Sequence, residues 1–193
     1  MTYFLFKGSR DYIHGTDLVI YLEQYINFPL KSFDLKIHKK IQHQPKILLS
    51  EKLNKKIKSS YASCKILCKK NKLISFCKSK KKVINRYSYD ENLISYNFFS
   101  NKKNASCKMK TTLHSVEILV SLTKFWHLKN VKKGKWLFTR LKLKKWFNTS
   151  KNKNIKIKNL VNINNNSTIS EIYENNKTIG QIFFSLENKK IIN

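Results

Sequence analysis

The strongest constraint on this chain is a pattern that it carries twice. One copy reads His14-Gly-Thr-Asp17-Leu-Val-Ile-Tyr-Leu-Glu-Gln-Tyr-Ile26. One hundred positions later stands His114-Ser-Val-Glu117-Ile-Leu-Val-Ser-Leu-Thr-Lys-Phe-Trp126. Each copy opens on a histidine, places a carboxylate three residues on, and continues with large apolar residues at matching offsets. Leu18, Leu22, Tyr25 and Ile26 follow the spacing of one helical face. Val19 and Ile20 widen that face, and a helix that is apolar around most of its girth is a buried one. Thr16 and Ser115 are the expected N-caps, because a short side-chain oxygen there takes a free backbone N–H.

The flanking sequence suggests that the duplication extends beyond the helices. A short strand is expected at residues 3–6 and a polar turn at 7–15. Pro29 ends the first helix, since proline cannot continue one. Residues 32–49 alternate apolar and polar as a strand does, with a bend at Pro45. A charged connector at 50–58 leads to a hairpin at 60–77. The lysine run at 78–82 is the expected seam. Residues 87–99 are expected to be extended, 101–104 a loop, 132–134 a turn and 136–143 a strand. Residues 147–166, rich in Lys and Asn, read as a long loop with a short strand near 155–160. A closing hairpin at 168–186 echoes the earlier one. Two units are therefore expected, 1–83 and 84–193, each running strand, buried helix, strand, hairpin.

The formal charge of +29 points first to a phosphate-bearing partner. Arg10, Arg86 and Arg140 are the only arginines among 40 basic residues, and arginine is the side chain suited to bidentate base and phosphate contacts. The excess of Lys, Asn and Ile fits compositional drift better than selection for nucleic acid. An RNA- or ribosome-associated protein is kept as an alternative reading. Met1 to Tyr12 lacks a signal-peptide layout, and no uncharged run reaches the length of a membrane helix. The expected location is the cytoplasm, with the four cysteines reduced. Cys64, Cys68 and Cys77 lack zinc-knuckle spacing and read as small core residues, so no metal or cofactor is expected.

A long apolar helix wrapped by antiparallel strands, present twice, resembles the hotdog fold. The chain as a whole is similar to a double hotdog, an α+β architecture in which two units pair as separate subunits would. The resemblance implies an enzyme acting on acyl groups held as thioesters on coenzyme A or acyl carrier protein, in fatty-acid or polyketide assembly. A 3-hydroxyacyl dehydratase comes first and a thioesterase second. The chain would be a monomer with pseudo-dimeric halves, or a homodimer. Dehydratases of the family pair a histidine near one helix with an acid on the other helix. Here that implies His14 with Glu117, and His114 with Asp17. The proline-rich His-Phe-Pro-Gly segment of those dehydratases is absent.

The residues suit the chemistry. An imidazole titrates near neutrality and serves as a base, and a carboxyl in an apolar pocket keeps its proton and serves as an acid. Helix N-terminal amides stabilise an enolate, and Gly15 lets that backbone come close. Arg10 and Tyr12, in the dense cluster Gly8-Ser9-Arg10-Asp11-Tyr12, are candidate substrate contacts. The alternative is that His14 and Asp17 only cap their helix and that Arg10 pairs with Asp11 or Asp17.

Overall fold

The structure is a computed structural model that describes residues 3–26, 28–53, 60–90, 95–131, 134–163 and 166–187. In chain order the elements are β1 (Phe6–Lys7), α1 (Gly15–Glu23), β2 (Ser32–Ile37), β3 (Lys46–Ser50), β4 (Ser60–Leu67), β5 (Lys72–Cys77), β6 (Arg86–Tyr87) and β7 (Phe98–Ser100). They continue with β8 (Asn104–Lys110), α2 (Ser115–Asn130), β9 (Trp136–Leu143), β10 (Asn152–Ile163), β11 (Ser167–Glu174) and β12 (Lys177–Leu186). Ten strands form one antiparallel sheet in the order β3-β5-β4-β2-β9-β12-β11-β10-β8-β7. Strands β1 and β6 pair separately and in parallel.

Helix α2 packs on β7, β8, β9 and β10, and α1 packs on α2. Leu18, Val19 and Leu22 of α1 and Ile118, Leu119 and Leu122 of α2 are fully buried. Each such side chain contributes roughly 1.5–3 kcal/mol over an exposed one. Ile20 points to the other side of α1 and is half-exposed, so the shorter helix is not buried all round. Two helices with buried apolar faces, α2 on the antiparallel sheet and α1 on α2, give a hotdog-like arrangement.

The halves join where β2 lies beside β9, Phe33 opposite Leu143 and Lys36 opposite Arg140. Arg140 forks onto Asp34 across this seam, Nε to Oδ1 at 2.8 Å and Nη2 to Oδ2 at 2.6 Å. A planar guanidinium makes that paired contact and an ammonium cannot, which accounts for an arginine in a chain otherwise rich in lysine. Strand β9 carries a bulge at Thr139, since Phe138 faces Phe184 and Arg140 already faces Phe183. The extra residue resets the alternation, so Trp136 and Phe138 point inward before it and Leu141 and Leu143 after it.

Several expectations change. The N-caps are His14 and His114 rather than Thr16 and Ser115. The long loop expected at 147–166 is largely strand β10. Its inward residues Ile155 and Ile157 are fully buried, with Lys153 buried on the same side, and Lys156 and Lys158 occupy the outer face. The seven-residue strand β8 was not anticipated before α2. Residues 32–49 divide into two strands around Pro45. The two hairpins echo each other in sequence but not in place. The first strand of one, β4, lies beside β2, whereas the second strand of the other, β12, lies beside β9. Asn175 and Asn176 turn the closing hairpin with φ of 49° and 61°, the left-handed conformation that asparagine tolerates. Residues 54–58 of the expected connector and 132–133 of the expected turn lie outside the described residues. No described helix is long and apolar enough to cross a membrane.

His127 is fully buried on α2, stacked on Trp136 at 4.2 Å and 7° and bonded through Nε2 to Thr168 Oγ1 at 2.7 Å. Burial lowers its pKa from 6.5 to about 3. A depressed folded-state value gives stability that is whole above the unfolded pKa and is lost as the pH falls through the window between the two. Stability should therefore fall between pH 6.5 and about 3, with His127 contributing a slope of up to about 1.4 kcal/mol per pH unit. Urea titrations across this range should show a shallower acid slope in His127→Leu. An unchanged slope would mean that the ring is not held neutral.

Candidate functional site

The two helix starts have the same four-residue plan and use it differently. At α2, His114 Nδ1 accepts the Val116 N–H at 3.1 Å, and the His114 N–H donates to Glu117 Oε2 at 3.2 Å. This reciprocal cap satisfies the end of the helix. At α1, His14 has the same extended backbone but no side-chain cap bond. Its Nδ1 lies 2.7 Å from Thr16 Oγ1 instead. The difference follows from one residue. Thr16 offers the ring a hydroxyl, whereas Val116 in the other copy offers only its amide. The α1 start is left without a side-chain cap.

That start borders a cavity of 120 Å³ lined by Tyr12, His14, Gly15, Leu18, Ile37, Phe138 and Thr139, among others. Thr139 is the bulged residue of β9, so the irregularity of the sheet shapes this wall. Gly15 is required here. A Cβ would stand 2.5 Å from Phe138 and 2.8 Å from Ile37. The His14 ring is buried, and burial holds its pKa well below the ordinary value. The charges of Lys124, Arg10 and Lys7 push in the same direction. The imidazole is neutral.

Behind His14 lies a buried ionic cluster. Lys7, from β1, is wholly inaccessible. Its Nζ donates to Glu117 Oε1 at 2.5 Å and to Thr16 Oγ1 at 3.2 Å, and stands 3.8 Å from Asp17 Oδ1. It sits 3.9 Å from the centre of the Tyr89 ring. The pairing of β1 with β6 puts Lys7 beside Tyr87, whose hydroxyl donates to Asp17 Oδ1 at 2.9 Å. Among the described residues the buried Asp17 Oδ2 has no hydrogen-bond partner. Burial raises the Asp17 pKa, opposed by Lys7 and by the Tyr87 hydrogen bond.

The residues picked from sequence are thus distributed among three places. His14, Gly15 and Tyr12 line the cavity. His14 and Glu117 are linked through Thr16 and Lys7 rather than by a direct bond. Asp17 joins Lys7 and Tyr87. His114 lies away from Asp17, 3.5 Å from Glu23 Oε2 and against the rings of Trp146 and Phe147. Burial lowers its pKa as well, against the pull of Glu23 and Glu117. Trp146 donates to Glu23 Oε1 at 2.8 Å and packs on Phe33, beside the α2 start. Arg10 donates to the Lys7 carbonyl. Cys64, Cys68 and Cys77 are buried thiols. Among the described residues no cluster of potential metal ligands occurs. Lys7, Tyr87 and Tyr89 escaped sequence reasoning, and Thr16 was read only as an N-cap. Lys7 is one lysine among many, and only the contrast of Thr16 with Val116 carried a readable signal.

No family model matches the chain, and no curated protein matches it in sequence. Solved structures do resemble it. A fusion DH domain is 10% identical with a TM-score of 0.48, covering 93% of this chain and 80% of that one. The dehydratase domain of a curacin polyketide synthase module is 10% identical with a TM-score of 0.47, covering 92% and 84%. An acyl-CoA thioesterase II from Mycobacterium marinum is 5% identical with a TM-score of 0.45, covering 89% and 86%.

Two outcomes test this geometry. Lys7→Met strands two neighbouring carboxylates and should cost about 3–5 kcal/mol in chemical denaturation, partly restored when Glu117→Gln is added. Wild-type stability in Lys7→Met would mean that the cluster contributes nothing. Thr16→Val should release the His14 ring to cap its own helix. Nitrogen-15 spectra should then show His14 in the Nε2–H form that His114 adopts as an Nδ1 acceptor, and an unchanged His14 tautomer would contradict the hold by Thr16.

Proposed function

We propose that this chain processes acyl thioesters at the cavity beside the start of α1, with His14 as the base and the uncapped α1 amides as the oxyanion site. The observation that carries the reading is the asymmetry of the two starts. Of two matching histidines, one is spent on capping its helix, and the other is held off its helix beside an apolar cavity. A neutral imidazole with one nitrogen engaged by a fixed partner has its other lone pair ready to take a proton, and the burial that lowers its pKa makes it a weaker base than a free imidazole.

Thr16 Oγ1 already accepts from Lys7. With its own proton turned to Asp17 Oδ1, 3.4 Å away, it accepts from His14 Nδ1–H as well. His14 Nε2 then keeps its lone pair. In the dehydratase reading, Nε2 takes the α-proton of a 3-hydroxyacyl thioester. The enolate oxygen is held by the α1 amides, where the helix dipole adds partial positive charge. The imidazolium then returns the proton to the departing hydroxyl, so water leaves and His14 is neutral again. The lysines at the cavity, Lys39, Lys40 and Lys124, suit a carrier with phosphate, either coenzyme A or acyl carrier protein.

A second reading, thioester hydrolysis, is favoured by the titratable groups around the cavity, which among the described residues are histidine, lysine and tyrosine. Hydrolysis needs only a base for water and an oxyanion site.

Mass spectrometry of the protein incubated with 3-hydroxyacyl and saturated acyl thioesters separates the two, by loss of water or loss of the acyl group. His14→Gln should lower either activity by about 100-fold or more. His114→Ala should retain turnover while losing about 0.5–2 kcal/mol of stability with its cap. Equal loss in both variants, or turnover of neither substrate class, would end the proposal.

A further inference from the structure

We propose that the α1 cavity admits only a short acyl chain, of about four carbons, and that Phe138 and Trp136 set the limit. The inference rests on the acyl-thioester reading and adds its substrate class.

The first support is volume. The cavity measures 120 Å³. A dry cavity of about 150 Å³ is the size that takes one benzene molecule, so this one holds fewer than about six carbons. A thioester carbonyl at the α1 amides would consume part of that space.

The second support is the rigidity of the walls, because a soft wall would give way to a longer chain. Phe138 cannot move towards α1. A single added Cβ at residue 15 would already meet its Cδ1 at 2.5 Å. On its other side it packs against the buried Phe184, 5.9 Å between ring centres. Trp136 is almost fully buried and lies flat on His127, whose Nε2 is bonded to the buried Thr168 hydroxyl. Swinging Trp136 aside would expose a buried, neutral imidazole and its hydrogen bond. Interiors packed this closely respond to added bulk with strain. Ile37, half-buried at the end of β2, is the more yielding part of the lining.

An open tunnel along the helices and a cavity blocked by the Phe138 and Trp136 walls predict opposite trends. In a tunnel, affinity climbs with each methylene taken out of water. Against a fixed wall it falls once the chain exceeds the space. The test uses butyryl, hexanoyl and decanoyl amides of N-acetyl-ethylenediamine, which copy an acyl thioester with nitrogen in place of sulfur and resist turnover. Binding to the full chain is measured by calorimetry. Butyryl is expected to bind about ten-fold or more tightly than decanoyl. Phe138→Ala should narrow or invert that ratio, and the milder Phe138→Leu gives the same comparison at the same wall should Phe138→Ala fail to fold. Affinity that rises with chain length in the wild type would overturn the length limit and leave the acyl-thioester reading standing. Binding of none of the three would overturn both.

Discussion

A single buried ammonium holds the two helix starts together. Asp17 and Glu117 occupy the same place in the first turn of their helices, where a carboxylate is favoured by the amide dipoles. Packing α1 against α2 brings the two carboxylates to one locus, and each repels the other. Lys7 stands between them, within 3.8 Å of one and 2.5 Å of the other. Burying a lysine costs several kcal/mol unless it is paired, and here it is paired on all sides, with the Thr16 hydroxyl and the Tyr89 face completing the set. Strands β1 and β6, only two residues each, exist in the fold to deliver Lys7 and Tyr87 to that point.

The cluster also shapes the histidine beside it. Lys7 donates to Thr16, Thr16 engages His14, and His14 is thereby drawn off the helix end it would otherwise cap. In the second copy valine replaces threonine, the ring turns back to the backbone, and Trp146 covers the position. The two helix starts therefore differ in their caps: α2 is capped by its histidine and α1 is not. A bulge in β9 and a glycine at residue 15 complete the difference, since both are needed for the strand and the helix to approach with a cavity left between them.

Much of the fold was legible. The helix periodicity, the Trp136–Leu143 strand and both hairpins stood out, because apolar residues buried on one face must recur at the spacing of the element. Strand β10 was hidden, because its outward residues are Lys and Asn, the residues that also fill loops in this composition. The order of strands in the first half could not be read, since hairpins of either orientation have the same local pattern. Of the site, His14 was visible because both copies open on a histidine, and Gly15 because the other copy has Ser115 in its place. The partner of Glu117 was not, because no spacing rule marks one lysine of many as buried.

Local pattern was sufficient for two buried helices, their histidine and carboxylate starts, and a sheet large enough to cover them, because hydrophobic periodicity acts over a few neighbouring residues. Long-range packing chose which carboxylates are neutralised and how large a space remains. Those outcomes turn on Lys7 meeting Glu117 across 110 positions of chain and on Phe138 closing over Gly15 from another strand. Contacts of that kind are made only when distant segments are folded against each other.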